Sequence, residues 1–133
     1  MDEVLIFFYY VFLLIALVMG CLLGLYYKIW WIDLLAHFIS GILSSIVAFI
    51  ILQENKLVSK KYKWFSFLFI IIFATSIGCL WEYFEFLCDK IFHEDSQWVI
   101  KTGVDDTMTD MLIATFGGIL VSIYYLYYLN KKK

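Results

Sequence analysis

The 133-residue sequence contains neither proline nor arginine, and only 17% of its residues are charged. Without proline, nothing in the sequence dictates a helix kink of the usual kind. Without arginine, the chain lacks the side chain best suited to bidentate contacts with phosphate or carboxylate groups. Because the formal net charge is also −2, nucleic acid is not an expected partner. The three cysteines form no CxxC motif and are expected to be structural.

Apolar residues dominate what is present: 64% of the chain is hydrophobic and 21% aromatic. A soluble domain of this size could not bury so much apolar surface, and a bilayer-spanning helix needs about 20 apolar residues. Four stretches approach that length, so we predict an all-α membrane protein. Residues 1–133 would form a single four-transmembrane-helix bundle, with helices at about 4–27, 33–53, 64–88 and 106–129. Asp2 and Glu3 precede the first stretch and no small-residue cleavage site follows it, which favours a retained helix over a signal peptide.

The lysines predict the orientation of these helices, because short cytoplasmic loops carry an excess of lysine. Seven of the ten lysines lie between the second and third predicted helices or in the C-terminal tail. Both segments are therefore expected to be cytoplasmic, and four spans then place the N-terminus there as well. Nine of the twelve acidic residues fall on the opposite side, which predicts a strongly anionic outer face of a multi-pass plasma-membrane protein.

Small residues recur at four-residue spacing within the predicted helices. The pairs are Gly20 with Gly24, Gly41 with Ser45, and Ala114 with Gly118. This spacing lets two helices approach closely. We expect it to serve packing within one bundle, with a homo-oligomer as the alternative.

Ionisable residues inside the predicted spans are the strongest indication of function. They occur as pairs three or four residues apart, so each pair shares one helix face: Asp33 with His37, Glu82 with Glu85, and Asp106 with Asp110. Because the chain alternates direction, all three pairs are expected at the outer end of the bundle. Such residues are costly in a membrane and usually face the bundle interior or a wet cavity.

Carboxylates gathered in such a pocket repel one another unless some are protonated or a cation compensates them. We expect a divalent ion held by His37, Glu82, Asp106 and Asp110, with Glu85 or Asp33 as a catalytic general base. Oxygen ligands with a single imidazole would suit Mg²⁺, Mn²⁺ or Ca²⁺, and Zn²⁺ is compatible with fewer ligands.

Simpler interpretations exist for several of these residues. Asp33 and Asp106 are well placed to cap the N-termini of their helices. His37 could be a buried histidine bonded to Ser40 or to a backbone carbonyl, and Glu85 could be solvated at the membrane boundary. Glu82 and Asp110, however, lie in apolar sequence beyond any capping position.

At these residues the sequence resembles the YjdF-like family of small bacterial membrane proteins, over roughly residues 30–120. Three motifs carry the resemblance: Trp31-Ile32-Asp33-x-x-x-His37-x-x-Ser40-Gly41; Trp81-Glu82-x-x-Glu85; and Gly103-x-Asp105-Asp106-Thr107-x-x-Asp110 followed by Gly117-Gly118. The order of these motifs is more distantly similar to that of VanZ-like proteins. The sequence departs from the VanZ pattern in two places: the third predicted helix has Glu85 where the pattern has Gln, and the fourth predicted helix lacks the Asn expected after its Asp. The VanZ-like resemblance implies resistance to lipoglycopeptide antibiotics and action at the outer face of the cell envelope.

Three functions are compatible with this sequence. The first is a metal-dependent hydrolase or transferase that acts on a lipid or lipid-linked headgroup at the outer leaflet. The second is a non-enzymatic protein that binds a cationic envelope component or antibiotic. The third is a small cation or proton transporter, which the one-sided placement of the acids disfavours.

Overall fold

A computed structural model describes residues 3–19, 25–93 and 95–131. Its helices are α1 (Glu3–Leu17), α2 (Leu25–Lys28), α3 (Trp30–Glu54), α4 (Lys63–Phe92), α5 (Val99–Thr102) and α6 (Asp105–Lys131), with a 3₁₀ turn at Lys60–Tyr62 before α4. Gly103 follows α5 with a positive φ of 69°, a conformation that glycine adopts without steric cost, and α6 begins two residues later.

Three helical segments are long and apolar enough to cross a membrane: Trp31–Glu54, Lys60–Phe92 and Asp105–Lys131. Their outward faces carry large apolar side chains; Leu112 on α6, for example, is 66% exposed. Lipid chains can cover such surfaces, whereas contiguous apolar patches of this kind are rare on soluble monomers. At a rise of about 1.5 Å per residue, the 15 residues of α1 fall short of a hydrocarbon core about 30 Å thick.

The first predicted span, 4–27, therefore corresponds only in part to a described helix. Residues 18 and 19 continue α1 with π-helical hydrogen bonding, and α2 contains the end of the predicted range. Gly20, Cys21 and Gly24 lie outside the described residues. In the described part, Tyr9 of α1 lies 3.3 Å from Ser44 of α3, hydroxyl to hydroxyl, so α1 packs beside α3.

The long helices α3, α4 and α6 pack against one another in alternating directions around small residues. A methyl group on Gly41 of α3 would collide with the carbonyl oxygen of Ala114 on α6, and one on Gly78 of α4 would lie 2.9 Å from the Ala114 Cβ. Gly118 lies equally close to Ala74 of α4. The small-residue pairs of α3 and α6 thus pack inside the chain, because their helices approach almost backbone to backbone.

The side chains that face the interior of the bundle change in polarity along α3, α4 and α6. Near the connection from α3 to α4, which carries Lys56, Lys60 and Lys61 and is followed by Lys63 at the start of α4, these side chains form an apolar core; we call this the lysine end. The core consists of Ala48, Leu52, Ile70, Tyr125 and Leu129. The opposite end, where α3 and α6 begin and α4 finishes, we call the acidic end. Buried serines lie between the two, and Ser45 satisfies its hydroxyl by donating to the Gly41 carbonyl at 2.7 Å.

The Gly41 contact yields the first prediction. We expect Gly41→Ala to lower the free energy of unfolding in detergent by about 1–3 kcal/mol, as overpacking of a close contact does. The obstacle is backbone, so Ala114→Gly should not restore stability. Gly78→Ala should be relieved by Ala114→Gly, since the Ala114 methyl is the one close neighbour of Gly78 among the described residues.

Thermal unfolding of the single and double variants measures both couplings as double-mutant cycles. Ser76→Ala, on the exposed face of α4, is the control for a neutral change in a spanning helix. A Gly41→Ala protein that is more stable than the wild type, as expected when alanine replaces glycine in an unobstructed helix, would contradict the proposed contact.

Candidate functional site

The acidic end brings all six predicted site residues into one cluster. Three sets of side chains each offer ligand atoms that lie within 4.8 Å of one another. The sets are Asp33, His37 and Glu85; His37, Glu82 and Asp110; and Asp33, Asp106 and Asp110. We call these six residues the acidic cluster.

His37 lies at the centre of the acidic cluster. Its Nε2 atom is 3.3 Å from Glu82 Oε1 and 3.7 Å from Asp33 Oδ1, and the side chain is 2% exposed. Neither contact has hydrogen-bond geometry, so both ring nitrogens, Asp33 Oδ1 and Glu82 Oε1 are buried without a hydrogen-bond partner. The simpler interpretation of His37, a bond to Ser40 or to a backbone carbonyl, is therefore wrong. Buried polar atoms are normally paired, so these four atoms without partners on three neighbouring side chains require an explanation.

Two of the three carboxylates with simpler interpretations, Asp33 and Glu85, are buried. Helix α3 begins at Trp30, with Ile29 as its capping residue, so Asp33 is not the N-cap and its side chain faces inward. Glu85 is 2% exposed rather than solvated, and its Oε1 accepts a 2.8 Å hydrogen bond from Trp81 Nε1. The capping interpretation of Asp33 and the solvated interpretation of Glu85 are therefore wrong.

The two α6 carboxylates differ in exposure. Because α6 begins at Asp105, Asp106 lies within the first helical turn and is half-buried. Asp110, one turn further, is 2% exposed. Asp110 belongs to two of the three ligand sets and Asp106 to one. Asp110 is therefore the α6 carboxylate in closest contact with the rest of the cluster.

A loop side chain not identified from the sequence completes the surroundings of Glu82. Gln97 is buried, and its Nε2 donates to both the backbone oxygen and Oε2 of Glu82, each at 3.1 Å. The Asp89 carboxylate holds this loop by accepting hydrogen bonds from the backbone N–H groups of Ser96 and Gln97, at 2.6 and 3.2 Å. Gln97 and Asp89 occupy no recognisable motif, so only the folded loop identifies them.

Helix α1 covers one side of the cluster. Phe12 and Ala16 of α1 line a cavity of about 10 Å³ together with His37, Ser40 and Trp81. That volume is about the space required by one water molecule. Apolar α1 side chains thus separate His37 from the surroundings on the α3/α4 side of the bundle.

The chemistry of the acidic cluster follows from its charge. Its five carboxyl groups cannot all be ionised at these separations without a compensating cation. The donor set is carboxylate oxygen with one imidazole, which suits a hard divalent ion and also permits Zn²⁺. His37 fits a ligand role, since both ring nitrogens are buried and unbonded. The residues present therefore fit a divalent ion.

Comparisons with known proteins agree with the membrane assignment. No curated protein and no solved structure matches the chain. A sequence family described as "Predicted membrane protein (DUF2238)" matches residues 1–131. Together with the three helices able to cross a bilayer, this match shows that the chain is an integral membrane protein and belongs to the DUF2238 family.

Proposed function

We propose that this protein is a metal-dependent hydrolase or transferase acting on a lipid or lipid-linked headgroup at the outer leaflet. A divalent ion would be held by His37, Glu82 and Asp110, with Asp106 completing the ligands through its contact with Asp110. The observation that carries the proposal is the group of buried, unpartnered atoms on His37, Glu82 and Asp33. A bound ion would be coordinated by His37 and Glu82, would leave Asp33 Oδ1 free beside it, and would neutralise the surrounding carboxylates.

The two candidates for general base differ in their hydrogen bonding. Asp33 Oδ1 has no partner and lies 3.7 Å from His37 Nε2, whereas Glu85 Oε1 accepts a bond from Trp81. A free carboxylate oxygen beside the ion can take a proton from attacking water, so Asp33 is favoured. The ion itself would supply Lewis-acid activation of that water. Glu85, held by Trp81, would balance charge.

The orientation of the bundle favours an external substrate. The lysine-rich loop between α3 and α4 lies at the end of the bundle opposite to the acidic cluster. The excess of lysine in short cytoplasmic loops supports an outward-facing cluster and, with α1 as a fourth span, cytoplasmic termini. With this orientation, the acidic cluster lies at the depth of lipid and lipid-linked headgroups of the outer leaflet, which are therefore the proposed substrates.

Neutralising Asp110 tests the metal site. We expect Asp110→Asn to weaken Mn²⁺ binding at least about tenfold, because even second-shell changes commonly cost 10- to 100-fold in metal affinity. Glu82→Gln should have an effect of the same direction. Titration calorimetry on detergent-purified, chelator-treated protein measures the affinity, and elemental analysis identifies the metal retained on purification.

The matched control is Asp105→Asn, which removes the same charge from an exposed side chain five residues before Asp110. Its Mn²⁺ affinity should equal that of the wild type. If Asp105→Asn and Asp110→Asn lowered the Mn²⁺ affinity equally, the effect would come from general surface charge, and the proposed metal site would be wrong.

The role of Asp33 can be separated from ion binding. In proteoliposomes of bacterial polar lipids with the bound divalent ion, we expect lipid turnover by the wild type and a loss of about 100-fold or more in Asp33→Asn, the scale of general-base catalysis. The ion should still bind. Mass spectrometry of the lipids measures turnover, and Glu85→Gln shows whether that carboxylate has the larger effect instead.

A second candidate function is binding without turnover, which the VanZ-like resemblance and the acidic cluster favour. A cationic envelope component or antibiotic would then be the compensating charge. In the same lipid experiment, a complex recovered unchanged from the extract and weakened by Asp110→Asn would replace the enzymatic proposal. The metal titration would distinguish the two, since an organic cation would compete with Mn²⁺ without product.

Ion transport has less support from the packing. Below the serines, the side chains that face the interior of the bundle close into the apolar core of Ala48, Leu52, Ile70, Tyr125 and Leu129. Ser66 and Ser122 donate to backbone carbonyls at 3.2 and 3.3 Å and so offer no continuous polar lining. We expect no divalent-ion flux into proteoliposomes above that of protein-free vesicles; a flux abolished by Asp110→Asn would establish transport.

A further inference from the structure

A groove runs along the outer surface between α4 and α6 and reaches the acidic cluster. Its upper part, of about 350 Å³, includes Glu82, Gln97 and Thr107 in its lining. Its lower part, of about 500 Å³, extends to Ile72 on α4. The two parts share Cys79, Tyr83 and Met111, so they form one continuous depression.

The groove has the length of one leaflet. Ile72 and Glu82 are ten residues apart, which corresponds to about 15 Å along α4. This is half of a hydrocarbon core about 30 Å thick. Ile72 and Tyr83 are 62% and 61% exposed on this face, within the segment of α4 that is able to cross a membrane. The medium alongside the groove is therefore lipid chain.

The upper end of the groove is polar and adjoins the acidic cluster directly. Glu82 Oε2 accepts the hydrogen bond from Gln97, and both residues line the groove. Glu82 Oε1 is directed to His37, at 3.3 Å from Nε2. The Glu82 carboxylate is thus the wall shared by groove and cluster. On the α3/α4 side α1 lies against His37, so the α4/α6 side is the more direct route from the bilayer.

We propose that this groove holds an acyl chain of a membrane phospholipid, whose headgroup reaches the acidic cluster sideways from the bilayer past Gln97. The lower part of the groove also includes Thr75 and Ser76, but both hydroxyls donate to carbonyl oxygens of their own helix. The rest of its lining, including Ile72 and Met111, offers apolar contact to the chain. The Gln97 amide, which donates to Glu82 in the structure, would exchange one of these bonds for a phosphate or ester oxygen, and the divalent ion would hold the phosphate. The headgroup part rests on the proposed function; the acyl-chain part rests on the groove alone.

A phospholipid also accounts for the combination of features better than a water-soluble ligand. A soluble cation would make no use of about 15 Å of apolar groove outside the cluster. An ordinary annular lipid, conversely, would need no polar end. Only an amphiphile uses both the apolar length and the polar end of this groove.

Photocrosslinking tests this proposal. The probe is phosphatidylglycerol with a diazirine in one acyl chain, reconstituted with the full-length protein and mapped by mass spectrometry of peptides. We expect labelling to concentrate on Cys79, Tyr83 and Met111, and to fall with excess unlabelled phosphatidylglycerol. Labelling spread evenly over the outer faces of α3, α4 and α6, and unaffected by competitor, would overturn the groove.

Two variants on neighbouring residues sharpen the result. Met111→Trp fills the groove and should reduce labelling of Cys79 and Tyr83 several-fold. Leu112→Trp adds the same ring to an exposed position outside the groove lining and should leave this labelling unchanged. Equal labelling in both variants would count against the groove, and thermal unfolding of each confirms that it folds. If either variant fails to fold, competition by unlabelled phosphatidylglycerol on the wild-type protein still tests the groove.

The outcomes separate this inference from the proposed function. Groove labelling that persists in a protein that binds no Mn²⁺ would reject the metal-dependent enzyme and retain the lipid groove. Mn²⁺ binding with evenly spread labelling would reject the groove and retain the metal site. Labelling and Mn²⁺ binding together, with both altered in Glu82→Gln, are the expected result.

Discussion

The close approach of α3, α4 and α6 at Gly41, Gly78 and Ala114 is the contact on which the rest of the structure depends. The key cluster residue of each helix lies one turn from this contact: His37 four residues before Gly41, Glu82 four after Gly78, and Asp110 four before Ala114. Residues four apart share a helix face. Because the helices almost touch at the glycines, the side chains one turn away meet with ligand atoms within 4.8 Å of one another.

The acidic cluster, which destabilises the fold, thus lies one helical turn from the small-residue contacts that stabilise it. Buried carboxyl groups are costly in a membrane, at roughly 2.5–3.5 kcal/mol each on insertion scales, and the cluster satisfies its atoms poorly. The stability must therefore come from elsewhere along the same helices. Small-residue contacts and the apolar core at the lysine end supply it, since dispersion and close packing drive helix association in lipid. The distribution suits a functional site supported by a rigid opposite end.

The sequence was sufficient for the features that depend on one helix at a time. Hydrophobic length predicted the three long helices, and the spacing of Asp33 with His37, or of Asp106 with Asp110, correctly placed each pair on one face. What sequence could not supply was the position of a helix start relative to a side chain. Because α3 begins three residues before Asp33, a residue compatible with an N-cap became an interior carboxylate.

Contacts between residues far apart in the sequence could not be predicted from it either. Gln97 reaches Glu82 only because Asp89 fixes the intervening loop, and no spacing rule links these three residues. Glu85 was open to a solvated interpretation, yet Trp81 on the same helix face holds it inside the bundle. Within the predicted span 4–27, the described residues are helical: α1 covers Glu3–Leu17, residues 18 and 19 continue it, and α2 covers Leu25–Lys28, while residues 20–24 lie outside the described part.

Glu82 belongs both to the acidic cluster and to the lining of the groove between α4 and α6. One of its oxygens is directed to His37 and the other to Gln97, so any group that displaces the Gln97 amide gains contact with the carboxylate nearest the histidine. Such an exchange leaves no buried carboxylate oxygen newly unpaired if the incoming group donates or brings a cation, and this keeps its cost low. The same carboxylate can therefore serve both as a wall that separates the bilayer from the cluster and as the first group that an arriving headgroup meets.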